Sequence, residues 1–443
     1  MVIQLPEKVK YIIDTLMEAG YEAYAVGGCI RDSILGRKPG DWDITTSARP
    51  MQVKQLFKKT IDTGIQHGTV TVMISGEGFE VTTYRIDGEY EDGRHPKEVR
   101  FTASLFEDLK RRDFTINAMA YNEKDGLVDA FFGRRDLEER VIRCVGNPKE
   151  RFEEDALRMM RAIRFAAQLG FSIEEGTKDA ITELADNLSK VSAERIQVEL
   201  VKLLVSNHPG EFMTAYETGL TRVFLPEFDA MIATPQNNKH HCYNVGKHTI
   251  EAVKNSPPDK VIRLTMLLHD VAKPVCKSID EEGIYHFYGH PAKGAQMAKE
   301  ILKRLKFDND TIRKVCALIK SHDDMPPLEP KAIRRAIFRT GLEQYPALFA
   351  VKRADALGKN QYQRAEKMAY IEGYQKLYEE ILEKQQCLTL KDLAVTGKDL
   401  IEAGMKPGKE LGETLEKLLE HVLEYPQDNQ KEILINLIKK IKI

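Results

Sequence analysis

A pair of glycines followed closely by two aspartates constrains this chain more than any other feature. The stretch contains Gly27-Gly28, then Arg31-Asp32, then Asp41-Trp42-Asp43. Glycines between a predicted strand and a predicted helix let the backbone approach phosphate oxygens. Aspartates at i and i+2 of a strand point to the same side, where they can hold divalent metal against those phosphates. The combination predicts a site for nucleotidyl transfer.

The bulk properties of the chain are those of an ordinary globular protein. Its 443 residues suffice for two to four domains, and the net charge of −2 gives no whole-molecule sign of nucleic-acid binding. The six cysteines form no C-x-x-C pair, and no stretch approaches the roughly 18 apolar residues of a membrane span. The first residues run directly into a helical pattern, so we expect no secretory signal. We therefore predict reduced thiols and a cytoplasmic location.

Hydrophobic periodicity divides the chain into a mixed head and a helical remainder. Alternating patterns predict strands over 24–27 and 41–45, and a hairpin of 69–74 with 79–84 joined by Ser-Gly-Glu-Gly. The turn-rich residues 86–108 are expected to form a connection. From Pro148 onward the period predicts helices almost throughout, including one continuous helix over 150–169 and a long one over 359–386. The predicted fold class is an α+β head followed by a mostly α-helical neck, body and tail.

Two further clusters carry groups suited to a nucleotide. The segment Arg111-Arg112-Asp113-Phe-Thr-Ile-Asn117 offers side chains for sugar hydroxyls and phosphates, although alone it is a charged loop. In the third cluster, Asp155 and Arg158 are three residues apart and are expected on one helix face. The aspartate can accept from the amino group of cytosine or adenine while the arginine donates to the ring nitrogen; uracil and guanine invert this pattern. The alternative is a surface salt bridge worth under ~1 kcal/mol.

These three clusters resemble the signature motifs of class II tRNA nucleotidyltransferases, the CCA-adding enzymes of the polymerase-β-like superfamily. They also resemble bacterial poly(A) polymerases, which share the head. The resemblance covers about the first 225 residues and includes three further segments. These are His67-Gly68-Thr69, Glu80-Val-Thr-Thr-Tyr-Arg85 and Ser192-Ala-Glu-Arg195-Ile-Gln-Val-Glu199. The last is similar to the family's helical motif that braces the neck, and the head is expected to have the polymerase-β-like nucleotidyltransferase fold.

The resemblance implies roles for the matching residues of the head. Asp41 and Asp43 would be the catalytic residues that carry Mg²⁺, and Glu80 could add a third carboxylate or be merely exposed. The residues expected to contact the triphosphate are Gly27, Gly28, Arg31 and Asp32. Those expected to handle the ribose and nearby phosphate are Arg112, Asp113 and Asn117.

The neck residues are implied to select the base. Asp155 and Arg158 would act as a protein template, Glu154 would hold Arg158 in place, and Arg161 would contact the nucleotide. The partners implied are tRNA, CTP and ATP. The tRNA 3′ hydroxyl would attack the α-phosphate of CTP or ATP and release pyrophosphate.

How many nucleotides are added is left open by the sequence. In the resembling family a loop before the Arg-Arg-Asp cluster is needed to add the terminal A, and enzymes that add only CC lack it. Here Asp87-Gly-Glu-Tyr-Glu-Asp-Gly-Arg94-His-Pro is present. A CC-only enzyme is therefore disfavoured, whereas a complete CCA-adding enzyme, an A-adding enzyme and a poly(A) polymerase stay open. The complete CCA-adding enzyme is the preferred interpretation.

A second candidate site lies in the helical body. His269-Asp270 closes an apolar run, and the order of histidines and aspartates resembles the HD superfamily of metal-dependent phosphohydrolases. The candidate ligands are His248, His269, Asp270, His290, His322 and Asp355. These ligand types suit Mn, Ni, Fe, Zn or Mg, so the second metal is not fixed. Some CCA-adding enzymes carry such a domain, with activity on 2′,3′-cyclic phosphates; poly(A) polymerases generally lack it.

The predicted domains are a nucleotidyltransferase head (1–147), a neck (148–225), an HD-type body (226–358) and a tail (359–443). The tail resembles the C-terminal segment of class II enzymes, and Lys439, Lys440 and Lys442 add positive charge for tRNA. An ordinary helical cap is the alternative there. Two competing functions are an HD phosphohydrolase whose head only binds nucleotide or RNA, and a non-catalytic RNA-binding scaffold.

Overall fold

The computed structural model describes residues 2–87, 99–237 and 243–441. The chain forms two compact units, residues 1–226 and residues 227–443. The first unit mixes sheet and helix, and the second is almost wholly helical. The predicted fold class, an α+β head followed by helices, is confirmed. Among the described residues, every helix is too short or too polar to cross a lipid bilayer.

The head is built on a seven-stranded sheet in the order β3-β4-β5-β2-β1-β8-β9. Strands β2 and β5 run parallel, and the other neighbouring pairs are antiparallel. The strands of the first unit are β1 (Ala23–Val26), β2 (Asp43–Thr46), β3 (Thr60–Gly64), β4 (Thr69–Ile74), β5 (Glu77–Thr83), β6 (Arg85–Asp87), β7 (Val99–Phe101), β8 (Ala120–Asn122), β9 (Gly126–Val128), β10 (Val141–Ile142) and β11 (Ser172–Ile173).

The β4–β5 hairpin shows how local sequence determines the register. Ser75 and Gly76 both have positive φ, which a two-residue hairpin turn of the primed type requires. Val70 and Val72 on β4 and Val81 on β5 are buried, while their strand neighbours are more exposed. The predicted hairpin is therefore present, with β5 beginning two residues earlier than expected.

Helices cover the sheet and form the rest of the first unit. They are α1 (Glu7–Glu18), α2 (Gly28–Ile34), α3 (Pro50–Leu56), α4 (Leu105–Lys110), α5 (Gly133–Glu139), α6 (Pro148–Glu154), α7 (Leu157–Leu169), α8 (Glu175–Leu184), α9 (Ala193–Leu204), α10 (Phe212–Glu217) and α11 (Thr221–Phe224). A core cluster that includes Tyr24, Val26, Tyr84 and Leu109 packs the sheet against α4. Burial of these side chains holds β1, β5 and the Arg-Arg-Asp segment in fixed relation.

The second unit is a helical assembly with one small hairpin. Its helices are α12 (Pro226–Ile232), which begins at the boundary, α13 (Val245–Lys254), α14 (Lys260–Leu268), α15 (Lys273–Cys276), α16 (His290–Arg304), α17 (Asn309–Ser321), α18 (Pro330–Thr340), α19 (Tyr345–Gly358), α20 (Arg364–Glu383), α21 (Gly397–Glu402), α22 (Lys409–Glu424) and α23 (Lys431–Ile441). The hairpin consists of β12 (Ser278–Ile279) and β13 (Tyr285–His286).

Three expectations from the sequence need correction. The helix predicted over 150–169 is broken, because Asp155 has extended φ and ψ of −147° and 102° between α6 and α7. The helix predicted over 359–386 is shorter, since it begins at Arg364 after Gln363 in the left-handed region. Within 86–108 the chain forms the β6–β7 pair and α4 rather than only a connection. Residues 88–98 of that segment lie outside the described part.

The tail helices are capped by their own side chains. Thr396 and Asp399 form a reciprocal capping box at the start of α21, and Asp399 also pairs with Lys431 of α23. The side chains of Lys439 and Lys440, and the whole of Lys442, lie outside the described residues. Their predicted contact with tRNA therefore stays a prediction.

Candidate active sites of the head and the helical body

The glycine pair forms a sharp turn at the end of β1. Gly27 has φ of 84°, a conformation that favours glycine. A Cβ placed on Gly27 would lie 3.0 Å from Nη1 of Arg112, so the turn also has little space for a side chain. The Gly27 amide donates to the carbonyl of Met119 at 3.1 Å, which fixes the turn against the segment before β8.

The sheet register brings carboxylates beside this turn. Asp43 pairs with Val26 in the last pair of β1 and β2, and Glu80 is the residue of β5 that precedes Val81, the partner of Ile44. Asp41 lies just before β2 instead of within it, because β1 ends at Val26 and offers no partner beyond Asp43. The predicted strand over 41–45 is therefore wrong at its first two residues.

The electrostatics of this edge favour a bound cation. Solvent reaches Asp43, yet partial loss of hydration and the negative charges of Asp41 and Glu80 raise its pKa to about 6, against the opposing effect of Arg112. Carboxylate oxygens are hard ligands of the kind that Mg²⁺ prefers. The donor set thus fits divalent metal at the position that the sequence predicted.

Arg31, Asp32, Asn117, Asp113 and Arg161 form one continuous polar chain. Arg31 pairs with Asp32 at 3.0 Å and donates to Oδ1 of Asn117 at 2.7 Å. Asn117 donates to Asp113 at 3.1 Å, and Arg161 of α7 pairs with Asp113 at 2.6 Å. Burial opposes ionisation of Asp113, but Arg161, Asn117 and Arg158 outweigh it and hold its pKa below the usual range. Five predicted nucleotide-binding residues are therefore brought together.

Arg112 is positioned by a buried aspartate that the sequence interpretation did not single out. Asp108 of α4 is fully buried, pairs with Arg111 at 2.8 Å and lies 3.5 Å from Arg112. It also accepts from the Thr45 hydroxyl on β2 at 3.1 Å. An aspartate on the apolar face of a short helix, three residues before an arginine, is the signal that could have identified it.

The neck residues Asp155 and Arg158 have different ion-pair partners on the two sides of the break between α6 and α7. Arg158 pairs with Glu154 at 2.5 Å, while Asp155 pairs with Arg195 of α9 at 2.7 Å. Oδ1 of Asp155 also accepts from the Leu157 amide at 3.1 Å. The expectation that Asp155 and Arg158 share one helix face is therefore wrong, because Asp155 caps α7 from the break. Glu154 does contact Arg158, as the resemblance implied.

The neck is braced by a buried ion pair. Arg164 of α7 pairs with Glu199 of α9 at 2.5 Å, and both side chains are almost fully buried. The same guanidinium lies 3.7 Å from the centre of the Phe165 ring. The contacts of Glu199 and Arg195 fasten α9 to the segment that carries Asp155 and Arg158.

In the body, all four predicted histidines direct the same ring nitrogen, Nε2, towards the predicted carboxylate ligands. The Nδ1 atoms of His269, His290 and His322 lie 2.7, 2.8 and 2.7 Å from the carbonyl oxygen three residues earlier in the chain. Nδ1 of His248 lies 3.1 Å from the carbonyl of Gly358. A carbonyl only accepts, so each Nδ1 carries a ring proton and each Nε2 faces the other predicted ligands, where it could bind metal.

The Nε2 atoms converge on two carboxylates. Nε2 of His248 is 3.1 Å from Asp355 and 3.3 Å from Nε2 of His269, and Nε2 of His290 is 3.4 Å from both Asp270 and Nε2 of His322. Unprotonated nitrogens this close repel one another unless a cation lies between them. Asp270 belongs to both ligand groups, one with His248 and His269 and one with His290 and His322.

The six predicted body ligands are thus brought together, and the donor set fits divalent metal. Two lysines that the sequence interpretation did not name complete the surroundings. Lys273 lies 2.7 Å from Asp270, and Lys359 lies 2.5 Å from Asp355. Each follows its aspartate by three or four residues, a helical spacing that identifies it. The pair of lysines adds positive charge where a phosphate would meet the ligands.

Comparisons with known proteins identify the family of the chain. Family models match as "Poly A polymerase head domain" over 23–143, "Probable RNA and SrmB- binding site of polymerase A" over 170–232 and "tRNA nucleotidyltransferase domain 2" over 285–438. A CCA-adding enzyme of Lactiplantibacillus plantarum is 36% identical over 442 residues, covering 99% of this chain and 98% of that protein.

Solved structures show the same likeness. The Bacillus stearothermophilus CCA-adding enzyme in complex with CTP has a TM-score of 0.74 and 31% identity, covering 99% of this chain and 98% of that one. The Thermotoga maritima CCA-adding enzyme complexed with tRNA_CCA shares the fold, with a TM-score of 0.57 and 22% identity over 100% of both chains. The chain belongs to the class II CCA-adding enzyme and poly(A) polymerase family.

Proposed function

We propose that this protein is a CCA-adding tRNA nucleotidyltransferase that adds C, C and A to the tRNA 3′ end from CTP and ATP. The observation that carries the proposal is the meeting of Asp41, Asp43 and Glu80 with the glycine turn at one sheet edge. Support also comes from relatives named as CCA-adding enzymes that match over nearly their whole length. We also propose that the protein acts in the cytoplasm.

The head residues have different roles in nucleotidyl transfer. Divalent metal at Asp41 and Asp43, when bound, would supply the charge neutralisation that a triphosphate and an attacking hydroxyl need. The Gly27 turn admits phosphate oxygens to the backbone, and Arg31 and Arg112 face them with positive charge. Asp113 and Asn117 hold Arg161 and Arg31 in place while the tRNA 3′ hydroxyl displaces pyrophosphate.

Base selection is assigned to the break between α6 and α7. The side chain of Arg158 is fixed by Glu154 and by the carbonyls of Arg151 and Arg111, at 3.2 and 3.1 Å. The side chain of Asp155 is fixed by Arg195. A rigid donor beside a rigid acceptor suits cytosine and adenine and leaves uracil and guanine with mismatched groups. Selection then requires no nucleic-acid template.

The test supplies the purified protein with tRNA that ends at the discriminator base, or with tRNA that ends in CC. Each is incubated with Mg²⁺ and labelled CTP, ATP, UTP or GTP, singly and mixed, and products are sized on a gel. We expect C, C and A on the first substrate and no product from UTP or GTP. A single A on only the CC-ended tRNA would overturn the proposal in favour of an A-adding enzyme, and a long A tract in favour of a poly(A) polymerase.

A matched control distinguishes the loss of a predicted metal-binding carboxylate from the loss of any other negative charge in the head. Asp62 lies in the same head, is about half exposed and pairs with Lys54 at 2.9 Å. Asp62→Asn should leave incorporation unchanged, whereas Asp41→Asn should abolish it. Equal activity in both variants would remove the carboxylate pair from the mechanism.

A second activity is proposed for the body, metal-dependent hydrolysis of a phosphate ester such as a 2′,3′-cyclic phosphate. The observation that favours it is the convergence of four Nε2 atoms on Asp270 and Asp355. Divalent metal, when bound there, would supply a Lewis acid for the ester. Water adds to phosphorus, one ring P–O bond breaks, and the freed ribose oxygen takes the proton, so the one product is a phosphate monoester with a neighbouring hydroxyl. Lys273 and Lys359 would hold the phosphate oxygens.

Hydrolysis is tested with a nucleoside 2′,3′-cyclic phosphate and Mn²⁺, Ni²⁺, Fe²⁺ or Mg²⁺, with products separated by chromatography. We expect a nucleoside monophosphate from the native chain and none from His290→Ala. His421→Ala is the control, since His421 pairs with Asp428 instead of the centre. Absence of product with every metal would overturn the hydrolase proposal and leave the transferase proposal standing.

A further inference from the structure

An aromatic hairpin stands beside the His/Asp centre of the body and has no part in the ligand set. Strands β12 and β13 form it, and Tyr288 and Gly289 lead from it directly into His290. Tyr288 is 77% exposed, more than the exposed tyrosines Tyr11 and Tyr425. This exposed ring lines the same cavity as Asp270 and His290, so it is available to a ligand that reaches the centre.

The Tyr288 ring is held flat against His286. The ring centres are 5.1 Å apart with an angle of 7° between planes, and the Tyr288 hydroxyl lies 3.2 Å from Nδ1 of His286. His286 is fixed in turn by Asp280, 2.6 Å from its Nε2. One face of Tyr288 is therefore stacked, and its exposure leaves the other face for a further ring.

The hairpin itself is anchored. Oδ1 of Asn237 accepts from the Tyr285 amide at 2.9 Å, and Nδ2 of Asn237 donates to the Gly283 carbonyl at 2.7 Å. The ammonium of Lys277 lies 3.5 Å from the centre of the Tyr285 ring. The first aromatic of the hairpin already has a cation on its face, whereas Tyr288 does not have one among the described contacts.

A single cavity of about 340 Å³ joins the hairpin to the centre. Asp270, His290 and His322 line it together with Tyr285 and Tyr288, and Lys273 and Lys359 also reach it. The volume falls within the range of sites for small ligands. Ligand oxygens, cations and an aromatic face therefore share one space, which matches a phosphate ester joined to a flat base.

We infer that Tyr288, backed by His286, is the specificity-determining platform that stacks the base of a nucleotide whose phosphate lies at the His/Asp centre. The inference rests on the proposed hydrolase activity and adds its substrate class, nucleotides over base-free esters. Stacking of a base on an aromatic side chain accounts for an affinity factor of about 5- to 150-fold. The nucleotide can be free or the last one of an RNA.

The kinetic test compares a nucleoside 2′,3′-cyclic phosphate with glycerol cyclic phosphate, which lacks a base. Tyr288→Ala should raise KM for the nucleotide about 5- to 150-fold and leave kcat/KM for the glycerol ester unchanged, and Tyr288→Trp should retain the low KM. Tyr425→Ala is the matched control, because Tyr425 is also exposed and lies beside a histidine, His421. Equal effects of Tyr288→Ala on both esters would overturn the proposal that Tyr288 stacks the base.

A binding test stands independently of turnover. The chain has one tryptophan, Trp42, so the Trp42→Phe/Tyr288→Trp variant carries a single indole at the platform. Nucleoside monophosphate should quench its fluorescence, while ribose 5-phosphate and inorganic phosphate should not. Quenching without hydrolysis would support the platform and contradict the hydrolase; hydrolysis without quenching would do the reverse. The kcat/KM values of a free cyclic nucleotide and of an RNA ending in a cyclic phosphate are then compared. The larger value shows whether the bound nucleotide is free or belongs to an RNA end.

Discussion

The two candidate centres of this chain differ in both ligand chemistry and access. The head presents carboxylates on a sheet edge, and Asp41, Asp43 and Glu80 are all reached by solvent. The body presents four imidazoles and two carboxylates, and His248 and His269 are fully buried. Oxygen ligands at an open edge suit Mg²⁺ that arrives with a triphosphate, whereas buried imidazoles suit a resident transition metal.

The centres also differ in how the backbone positions their ligands. In the head, strand register determines position, since Asp43 is placed by Val26 and Glu80 by the β2–β5 pairing. In the body, helix ends determine it, because His269 and His322 follow the last turns of α14 and α17 and donate to the carbonyls of Met266 and Ile319 in those turns. The lesson is that a sheet edge leaves room for a polymer end, while converging helix ends enclose a small space.

The largest difference is expected on metal removal. After treatment with a strong chelator and return of Mg²⁺ alone, nucleotide incorporation should recover fully and ester hydrolysis should stay absent. Hydrolysis should return with Mn²⁺, Ni²⁺ or Fe²⁺, because imidazole ligands favour those ions. Both rates are measured on one preparation, with metal content determined at each step. Recovery of both activities with Mg²⁺ alone would contradict the contrast between the centres.

A smaller effect is expected at the neck, where only the head reaction should respond. Arg158→Ala should reduce discrimination of CTP over UTP about 5- to 150-fold, since one base contact accounts for about 1–3 kcal/mol. Single-turnover incorporation of each nucleotide measures the ratio. Arg135→Ala is the control, because Arg135 is exposed and pairs with Glu139 on the surface of α5. An unchanged ratio would remove Arg158 from base selection.

The smallest effect concerns the backbone of the head. Gly27→Ala should weaken incorporation about tenfold, because positive φ costs roughly 1–2 kcal/mol and the new Cβ crowds Arg112. Gly36→Ala also places a side chain at positive φ, 68°, but its Cβ meets nothing within 4 Å. The difference in rate between the two variants isolates the approach of Arg112 to the turn. Equal losses would mean that strain alone explains the effect.

The sequence predicted the head better than the connections around it. The glycine pair, the aspartates and the Arg-Arg-Asp cluster are short-range patterns with a direct chemical meaning, and the family they indicate is confirmed. The break at Asp155 was missed because helical periodicity continues across it; the pairing of Asp155 with Arg195, 40 residues away, is a tertiary contact that local propensity does not report.

In the body, the sequence predicted the ligands of the site better than the residues around them. The residues His248 and Asp355 are 107 positions apart, and their order along the chain suggested a shared centre that the structure brings together. The Tyr288 hairpin was missed, since two-residue strands such as β12 and β13 carry almost no periodic signal. The lysines were missed because helical spacing from an aspartate is common on helix surfaces and does not by itself indicate a site. The roles of the individual site residues stay predictions until the variants are assayed.

The most direct test of two separate chemistries on one chain is a crossed assay. Asp43→Ala and His269→Ala are each measured for nucleotide incorporation into tRNA and for hydrolysis of a cyclic phosphate, with circular dichroism to verify folding. The account predicts that Asp43→Ala loses incorporation by about 10³-fold or more and keeps hydrolysis, since several kcal/mol of charge stabilisation is lost, and that His269→Ala does the converse. Loss of both activities in either folded variant would contradict it.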